Sequence, residues 1–362
     1  MSTETKQPAK RLLIAASGTG GHLFPAIAVA EQLPDYQIAW LGVPNRLETQ
    51  LVPERYPLHT VAVEGFQKRG LQMIPVLLKL IGAIGQVRRL LQQGKFQGVF
   101  TTGGYIAAPA VIAARSLGLP VILHESNALP GKVTRLLSRW CTEVAIGFPD
   151  AAQYLPKAQT TVVGTPVREQ FQQNPPPPLS DLPIPADVPL LAIVGGSQGA
   201  VAINKLVREC APAWLEAGIW IVHQTGDNDP EAKSFEHPHY FPLPFYNNMA
   251  GLFHRADLVI GRSGAGTLTE LAITHTPSIL IPYPFAADDH QAYNAAVFAK
   301  AGAALMFRQS ELTADRLRSA VLDRLGTSRH PETLPVMAEK AASLAVPDSA
   351  TQLADLIRQL IL

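Results

Sequence analysis

The chain of 362 residues has only two cysteines, few charged residues (16%) and few aromatic ones (7%). Cys141 and Cys210 cannot build a disulfide framework or a four-ligand zinc site, so a reducing, cytoplasmic setting is expected. No run is apolar enough to span a bilayer: the longest helix-like stretch, Met73–Leu91, is interrupted by Lys79, Arg88 and Arg89. The polar start, Met1–Lys10, leads straight into a strand-like run and does not read as a signal peptide. Basic residues are not massed into the runs of a nucleic-acid binder. What the chain has in quantity is apolar side chain. Its 47% of hydrophobic residues excludes disorder and, at this length, predicts two domains.

The net charge of +1 hides an asymmetry. Through Val167 there are 16 Lys and Arg against 9 Asp and Glu, and beyond it 14 against 20. The first half therefore suits an anionic membrane surface or a phosphorylated substrate. Short apolar runs alternate with helix-length amphipathic segments, the pattern of a parallel sheet wrapped by helices. Strands are expected at Arg11–Ser17, Gln37–Val43, Leu58–Val63, Gly98–Gly103, Pro120–Glu125 and Glu143–Gly147. Residues 174–189, with Pro175–Pro178 in a row, cannot be helical and read as a linker or an excursion between domains. The alternation then restarts with strands at Leu190–Val194, Ile219–Gln224 and Asp257–Gly261. A last amphipathic helix, Ser349–Leu362, comes late enough to cross back to the first domain.

Three glycine-rich turns between strand and helix invite an anion to a helix N-terminus. The first, Gly18-Thr-Gly-Gly-His22, has Leu23 where a dinucleotide fingerprint needs its third glycine, and no acidic residue closes the second strand. The second, Gly195-Gly-Ser-Gln-Gly199, continues with Ala200-Val201 where a P-loop needs Lys and Ser or Thr. The third, Gly261-Arg-Ser-Gly-Ala-Gly-Thr, leads to Glu270, a carboxylate suited to two vicinal ribose hydroxyls. Gln291 and Asn294, spaced i, i+3, offer carboxamides to sugar hydroxyls from one helix face. Thr102-Gly-Gly-Tyr105, His124-Glu-Ser-Asn127 and Gly164-Thr-Pro-Val-Arg168 each end a strand, and Arg168 suits a diphosphate. Asp227-Asn-Asp229, between Gly226 and Pro230, reads as a surface turn, and no protein-bound metal is assigned.

In their order along the chain, these motifs, Asp227–Asp229 aside, together with Leu23-Phe-Pro25 resemble those of the MurG family of bacterial peptidoglycan glycosyltransferases, from the first strand to about Gly302. The resemblance implies an α/β GT-B fold, two Rossmann-like parallel-sheet domains facing a cleft. Residues 1–167 would be the acceptor and membrane domain, with 349–362 packing back on it, and residues 168–348 the UDP-GlcNAc domain. It implies transfer of GlcNAc, with inversion, to the 4-hydroxyl of a lipid-linked muramoyl pentapeptide, lipid I, at the cytoplasmic face of the inner membrane. By motif position, Ser197 touches the diphosphate and Tyr246 sets a backbone group beside uracil. Ala265, Gly266, Thr267, Leu268 and Thr269 line the nucleotide, Glu270 the ribose, and Gln291 and Asn294 the GlcNAc. Thr19, Gly20, Gly21, Asn127 and Arg168 complete the donor site, while Gly103, Gly104 and Tyr105 face the acceptor. Thr165 and His290 depart from the expected Asn and Gln.

The acceptor hydroxyl needs a base, for which His22 and Glu125 are the candidates, with His22 favoured. No tightly bound cofactor is expected, at most a free divalent cation assisting. Competing readings are another GT-B enzyme, a UDP-GlcNAc 2-epimerase, or a module that only senses UDP-sugars. Met73, Ile74, Val76, Leu77, Leu78, Leu80, Ile81 and Ile84, flanked by Lys68, Arg69, Arg88 and Arg89, exceed one buried stripe and predict an interfacial element for peripheral attachment.

Overall fold

A parallel strand covered on both faces is apolar at every position, not at every second one. Leu12, Leu13, Ile14 and Ala15 meet that condition and are wholly buried. They belong to β1 (Lys10–Ala15) in a computed structural model that describes residues 10–64, 73–196, 199–326 and 332–361. The chain divides into two units, Met1–Arg168 with Val346–Leu362, and Glu169–Ala345.

In unit 1, β1 is joined by β2 (Tyr36–Gly42), β3 (Leu58–Thr60), β4 (Gly98–Thr101), β5 (Val121–Glu125), β6 (Glu143–Ile146) and β7 (Thr160–Val162). All pair in parallel in the order β3-β2-β1-β4-β5-β6-β7. The helices are α1 (Gly20–Glu31), the short α2 (Glu48–Leu51), α3 (Met73–Gln93), α4 (Ala107–Ser116) and α5 (Lys132–Leu137). Because side chains alternate across a strand, Leu12 and Ile14 pack with α1, while Leu13 and Ala15 meet α3 and α4. On α3 a stripe of Val76, Ala83, Val87 and Leu91 is buried. Its other side shows Leu77 at 45%, Leu78 at 63% and Ile81 at 63% exposure.

Unit 2 holds β8 (Leu190–Val194), α6 (Val201–Glu216), β9 (Trp220–Gln224), β10 (Tyr240–Leu243), α7 (Met249–Arg255), β11 (Leu258–Gly261) and α8 (Ala265–Ile273). They are followed by β12 (Ser278–Leu280), α9 (His290–Ala301), β13 (Ala304–Met306), α10 (Ala314–Leu325) and α11 (Thr333–Ala342). Its parallel sheet runs β10-β9-β8-β11-β12-β13. The proline-rich stretch lies within this unit and is strapped along α7. There Asn248 donates to the Pro178 carbonyl (2.8 Å), and Arg255 to those of Pro185 and Val188 (2.8 and 2.7 Å).

The last helix, α12 (Ser349–Leu360), belongs to unit 1. Leu353, Ala354, Ile357 and Ile361 are wholly buried in the cluster that holds Leu12, Ile14, Val29 and Trp40. Arg358 fixes its outer face through both oxygens of Asp35 and the Gln32 carbonyl. In each sheet the strand order reverses direction once, between β1 and β4 in unit 1 and between β8 and β11 in unit 2. Crevices for ligands form at the carboxyl ends of strands at such switch points. The first and second glycine turns, Thr102–Tyr105 and Gly261–Gly264 leave the sheets there.

Candidate active site

At the unit 1 switch point, α1 begins after Thr19. The Thr19 carbonyl takes the His22 and Leu23 amides (3.0 and 3.2 Å), and its side chain makes no cap. The amides of Gly20 and Gly21 head the helix, where N–H groups have no intrahelical acceptor. His22 lies one residue further, half-buried, with Nδ1 at 2.7 Å from the Thr102 carbonyl. A carbonyl only accepts, so the neutral ring carries its proton on Nδ1 and leaves the Nε2 lone pair open. That nitrogen faces the neighbouring turn: a Cβ built on Gly104 would stand 3.7 Å from Nε2. Gly103 and Gly104 have φ of +86° and +72°, a backbone that side chains resist and that lets the loop lie against the imidazole. Tyr105 follows, exposed.

Glu125 is differently placed. Its buried carboxylate accepts from the Asn127 amide (3.0 Å), the Asn127 side chain (2.9 Å) and the Gly131 amide (3.1 Å). Those bonds staple residues 125–131 into a fixed turn and occupy the carboxylate. His124 is buried, donates from Nε2 to the Gly164 carbonyl (2.9 Å), and is held neutral because burial pushes its pKa down. Arg168, also in unit 1, lies with its guanidinium 4.7 Å from the centre of the Phe24 ring.

In unit 2, Gly195, Gly196 and Gly199 border the second glycine turn, while Ser197 and Gln198 lie outside the described residues. Gly199 is required by contact, since a Cβ there would meet the Thr225 carbonyl oxygen at 2.2 Å. In the third turn, Gly264 precedes α8, with Gly266 and Thr267 half-buried and Ala265 buried at its start. Leu268 points into the core, wholly buried, and Thr269 spends its hydroxyl on the Ala265 carbonyl (2.9 Å). Both side chains are turned into the unit, whereas Gly264, Gly266 and Thr267 stay half-buried. Glu270 is half-exposed in the second turn of α8, beyond the reach of most of the helix-dipole effect.

The two carboxamides differ. Gln291 is half-exposed and accepts from the Tyr283 amide (2.9 Å). Asn294 is buried and donates to the Ser263 carbonyl (3.2 Å), bracing the third turn from α9. Tyr246 is buried with its hydroxyl on Asp181 (2.8 Å), and burial followed by that bond raises its pKa. Arg262 donates to the Ile281 and Pro282 carbonyls and to Gln309. Burial lowers its pKa to about 10, so it stays charged at neutral pH.

Two clusters carried no sequence signal. Glu48, on α2, folds back beneath the first glycine turn, where it accepts from Ser17 and Gly18. Asp229, expected in a surface turn, is buried and accepts from Arg208 (2.7 Å) and Asn204 (2.7 Å). Burial opposes its charge, but the Arg208 and Asn204 bonds hold its pKa below the usual range. Beside it, the buried His223 donates from Nε2 to Asn204 Oδ1 (3.0 Å) and accepts on Nδ1 from Tyr240 (2.7 Å).

Residues 12–146 match the glycosyltransferase family 28 N-terminal domain, and residues 190–353 its C-terminal domain. The Nostoc punctiforme protein named UDP-N-acetylglucosamine–N-acetylmuramyl-(pentapeptide) pyrophosphoryl-undecaprenol N-acetylglucosamine transferase is 66% identical over 352 residues, covering 97% of this chain and 98% of that one. The chain belongs to glycosyltransferase family 28. The crystal structure of Acinetobacter baumannii MurG, 34% identical, superposes with a TM-score of 0.76 over 97% of this chain and 99% of that one. A kitacinnamycin glycotransferase, 17% identical with a TM-score of 0.74 over 98% of this chain and 100% of that one, shares the fold alone. This family 28 chain is thus a GT-B glycosyltransferase built from two Rossmann-like units.

Proposed function

We propose that this chain transfers GlcNAc from UDP-GlcNAc to the 4-hydroxyl of the muramoyl sugar of lipid I, giving lipid II for peptidoglycan. The observation that carries the reading is two-thirds identity, kept over nearly the whole chain, to an enzyme of that name. The reaction joins acceptor O4 to the anomeric carbon, breaks the bond from that carbon to the UDP oxygen, and moves the hydroxyl proton to a base. Entry of O4 on the face opposite UDP inverts the centre. His22 is the better base, because Nε2 keeps its lone pair while Thr102 holds the ring. Glu125 serves as the staple of its own turn. Backbone amides of the glycine turns receive the charge that grows on UDP. Glu270 accepts from the ribose and Gln291 from the sugar. A free divalent cation belongs to this reading as a companion of the diphosphate, and chelation with EDTA then slows transfer.

The lipid tail of the acceptor stays in the bilayer, so the enzyme must reach the surface. Among the described residues no helix is long and apolar enough to cross a membrane. The exposed apolar side of α3, in the half richer in Lys and Arg, suits peripheral attachment to an anionic leaflet at the cytoplasmic face. Incubating the protein with UDP-GlcNAc and a lipid I analogue tests the activity. Appearance of the disaccharide-lipid and UDP supports it. Conversion of UDP-GlcNAc to its 2-epimer, or binding without turnover, would sink it.

A further inference from the structure

The first glycine turn needs something beneath it. Backbone donors at a strand-to-helix turn usually wait for an external anion. Here part of that role is taken by the chain itself. Glu48, wholly buried at the start of α2, sends its carboxylate under the exits of β1 and β2. One oxygen accepts from the Ser17 hydroxyl (2.5 Å) and the Val43 amide (2.6 Å), and the other from the Gly18 amide (3.3 Å). The approach depends on Gly42, where a Cβ would stand 2.7 Å from the Glu48 Cγ.

Three donors from two strand exits converge on a group that only accepts, which is why a carboxylate fits and a carboxamide does not. Any orientation of Gln would turn an N–H₂ toward a donor. The negative charge also lies beside the start of α1, where the helix dipole favours it. Gly18 and the extended Thr19 lead directly into the first turn of the helix that carries His22. A second restraint on that turn is the bond from His22 to the carbonyl of Thr102, the residue that follows β4. In the sheet β2 and β4 flank β1 on opposite sides. The start of α1 is therefore held from both neighbours, by Glu48 on one side and Thr102 on the other.

We propose that Glu48 is a positioning residue for the transfer reaction, fixing Ser17 and Gly18 so that the His22 imidazole keeps its place. This rests on the reading of His22 as the base. Glu48 does not touch the reacting atoms, and it acts through the turn.

The test is a double-mutant cycle on the full chain, with UDP-GlcNAc and a lipid I analogue as substrates. Glu48→Gln should lower kcat about tenfold or more, while the KM for UDP-GlcNAc and the affinity for UDP stay within twofold. In a His22→Ala background the same change should cost nothing further, since the group it positions is gone. Multiplying losses would mean that Glu48 does not act through His22, and the proposal falls. An unchanged kcat in His22→Ala alone would instead remove the base, and this proposal with it. If Glu48→Gln does not fold, Ser17→Ala, which deletes a single donor, should show the same split and the same lack of additivity. A parent-like kcat in Ser17→Ala would then overturn the proposal.

Discussion

At the scale of single residues, two carboxyl-edge groups that look alike in sequence have different surroundings. His22 keeps one ring nitrogen open, whereas Glu125 gives its carboxylate to three neighbouring donors. His22→Ala should therefore cut turnover about a hundredfold or more with UDP affinity nearly intact, as proton transfer in the transition state requires. Glu125→Ala should lower stability by about 1–3 kcal/mol or more, because buried donors lose their acceptor. Steady-state rates, calorimetric titration with UDP and thermal melts separate the two. Reversed outcomes would exchange their roles.

His223 gives a second prediction at this scale. Burial first, and then Arg208, lowers its pKa to about 3, while an unfolded histidine titrates near ~6.5. Below the latter value the unfolded chain binds a proton that the native chain refuses, so stability falls as pH drops. From this group alone the loss between pH 7 and pH 5 is about 2 kcal/mol. Denaturant melts at the two pH values should show it. The difference should shrink in His223→Gln, even if that variant is less stable throughout. Asp229, whose pKa is held low, adds its own loss only in stronger acid.

At the scale of elements, α3 has one side in the core and another in solvent. Replacing Leu77 and Ile81 by Glu touches only the outer side, so the fold should survive. Co-sedimentation with vesicles containing anionic lipid should be weakened by the pair and by salt, each nearby Lys or Arg being worth about 1 kcal/mol. Undiminished co-sedimentation of the folded double variant would place the docking surface elsewhere. The basic flank at Lys68 and Arg69 lies outside the described residues.

How far such elements could be read from the sequence follows their length and burial. Most of the strands were legible as apolar runs, several of them running into glycine turns. The short strands β10, β12 and β13 were not. Each has three or four residues, too few for a period, and Pro242 in β10 is tolerated only because that strand is an edge. The glycine turns announced themselves, because only glycine allows close backbone approach. Glu48 could not, since its partners are two amides and one serine scattered over two loops. Arg262 and Asn294 were readable by type but not by direction, and both turned toward carbonyls of their own unit.

At the scale of the whole molecule, unit 1 is closed by residues that follow unit 2. Ile357 and Leu353 fill the same cluster as Leu12, and losing even one such side chain to Ala costs about 2–5 kcal/mol. A chain ending at Ala345 should therefore lose the melting transition of unit 1 and all transfer activity. Unit 2, uninterrupted from Glu169 to Ala345, should still bind UDP. Calorimetry and UDP titration on the truncated protein check both outcomes. Equal transfer by the shortened chain would mean that α12 is dispensable.

That late closure has a consequence for how the protein is made. Translation delivers the first sheet early but its closing helix last, so the amino-terminal unit waits on the ribosome with one face of its core open. The continuous second unit can settle in the interval. A nascent chain released before residue 346 lacks the helix that fills one face of the first unit's core, so the sheet made first is the last part of the fold to be completed.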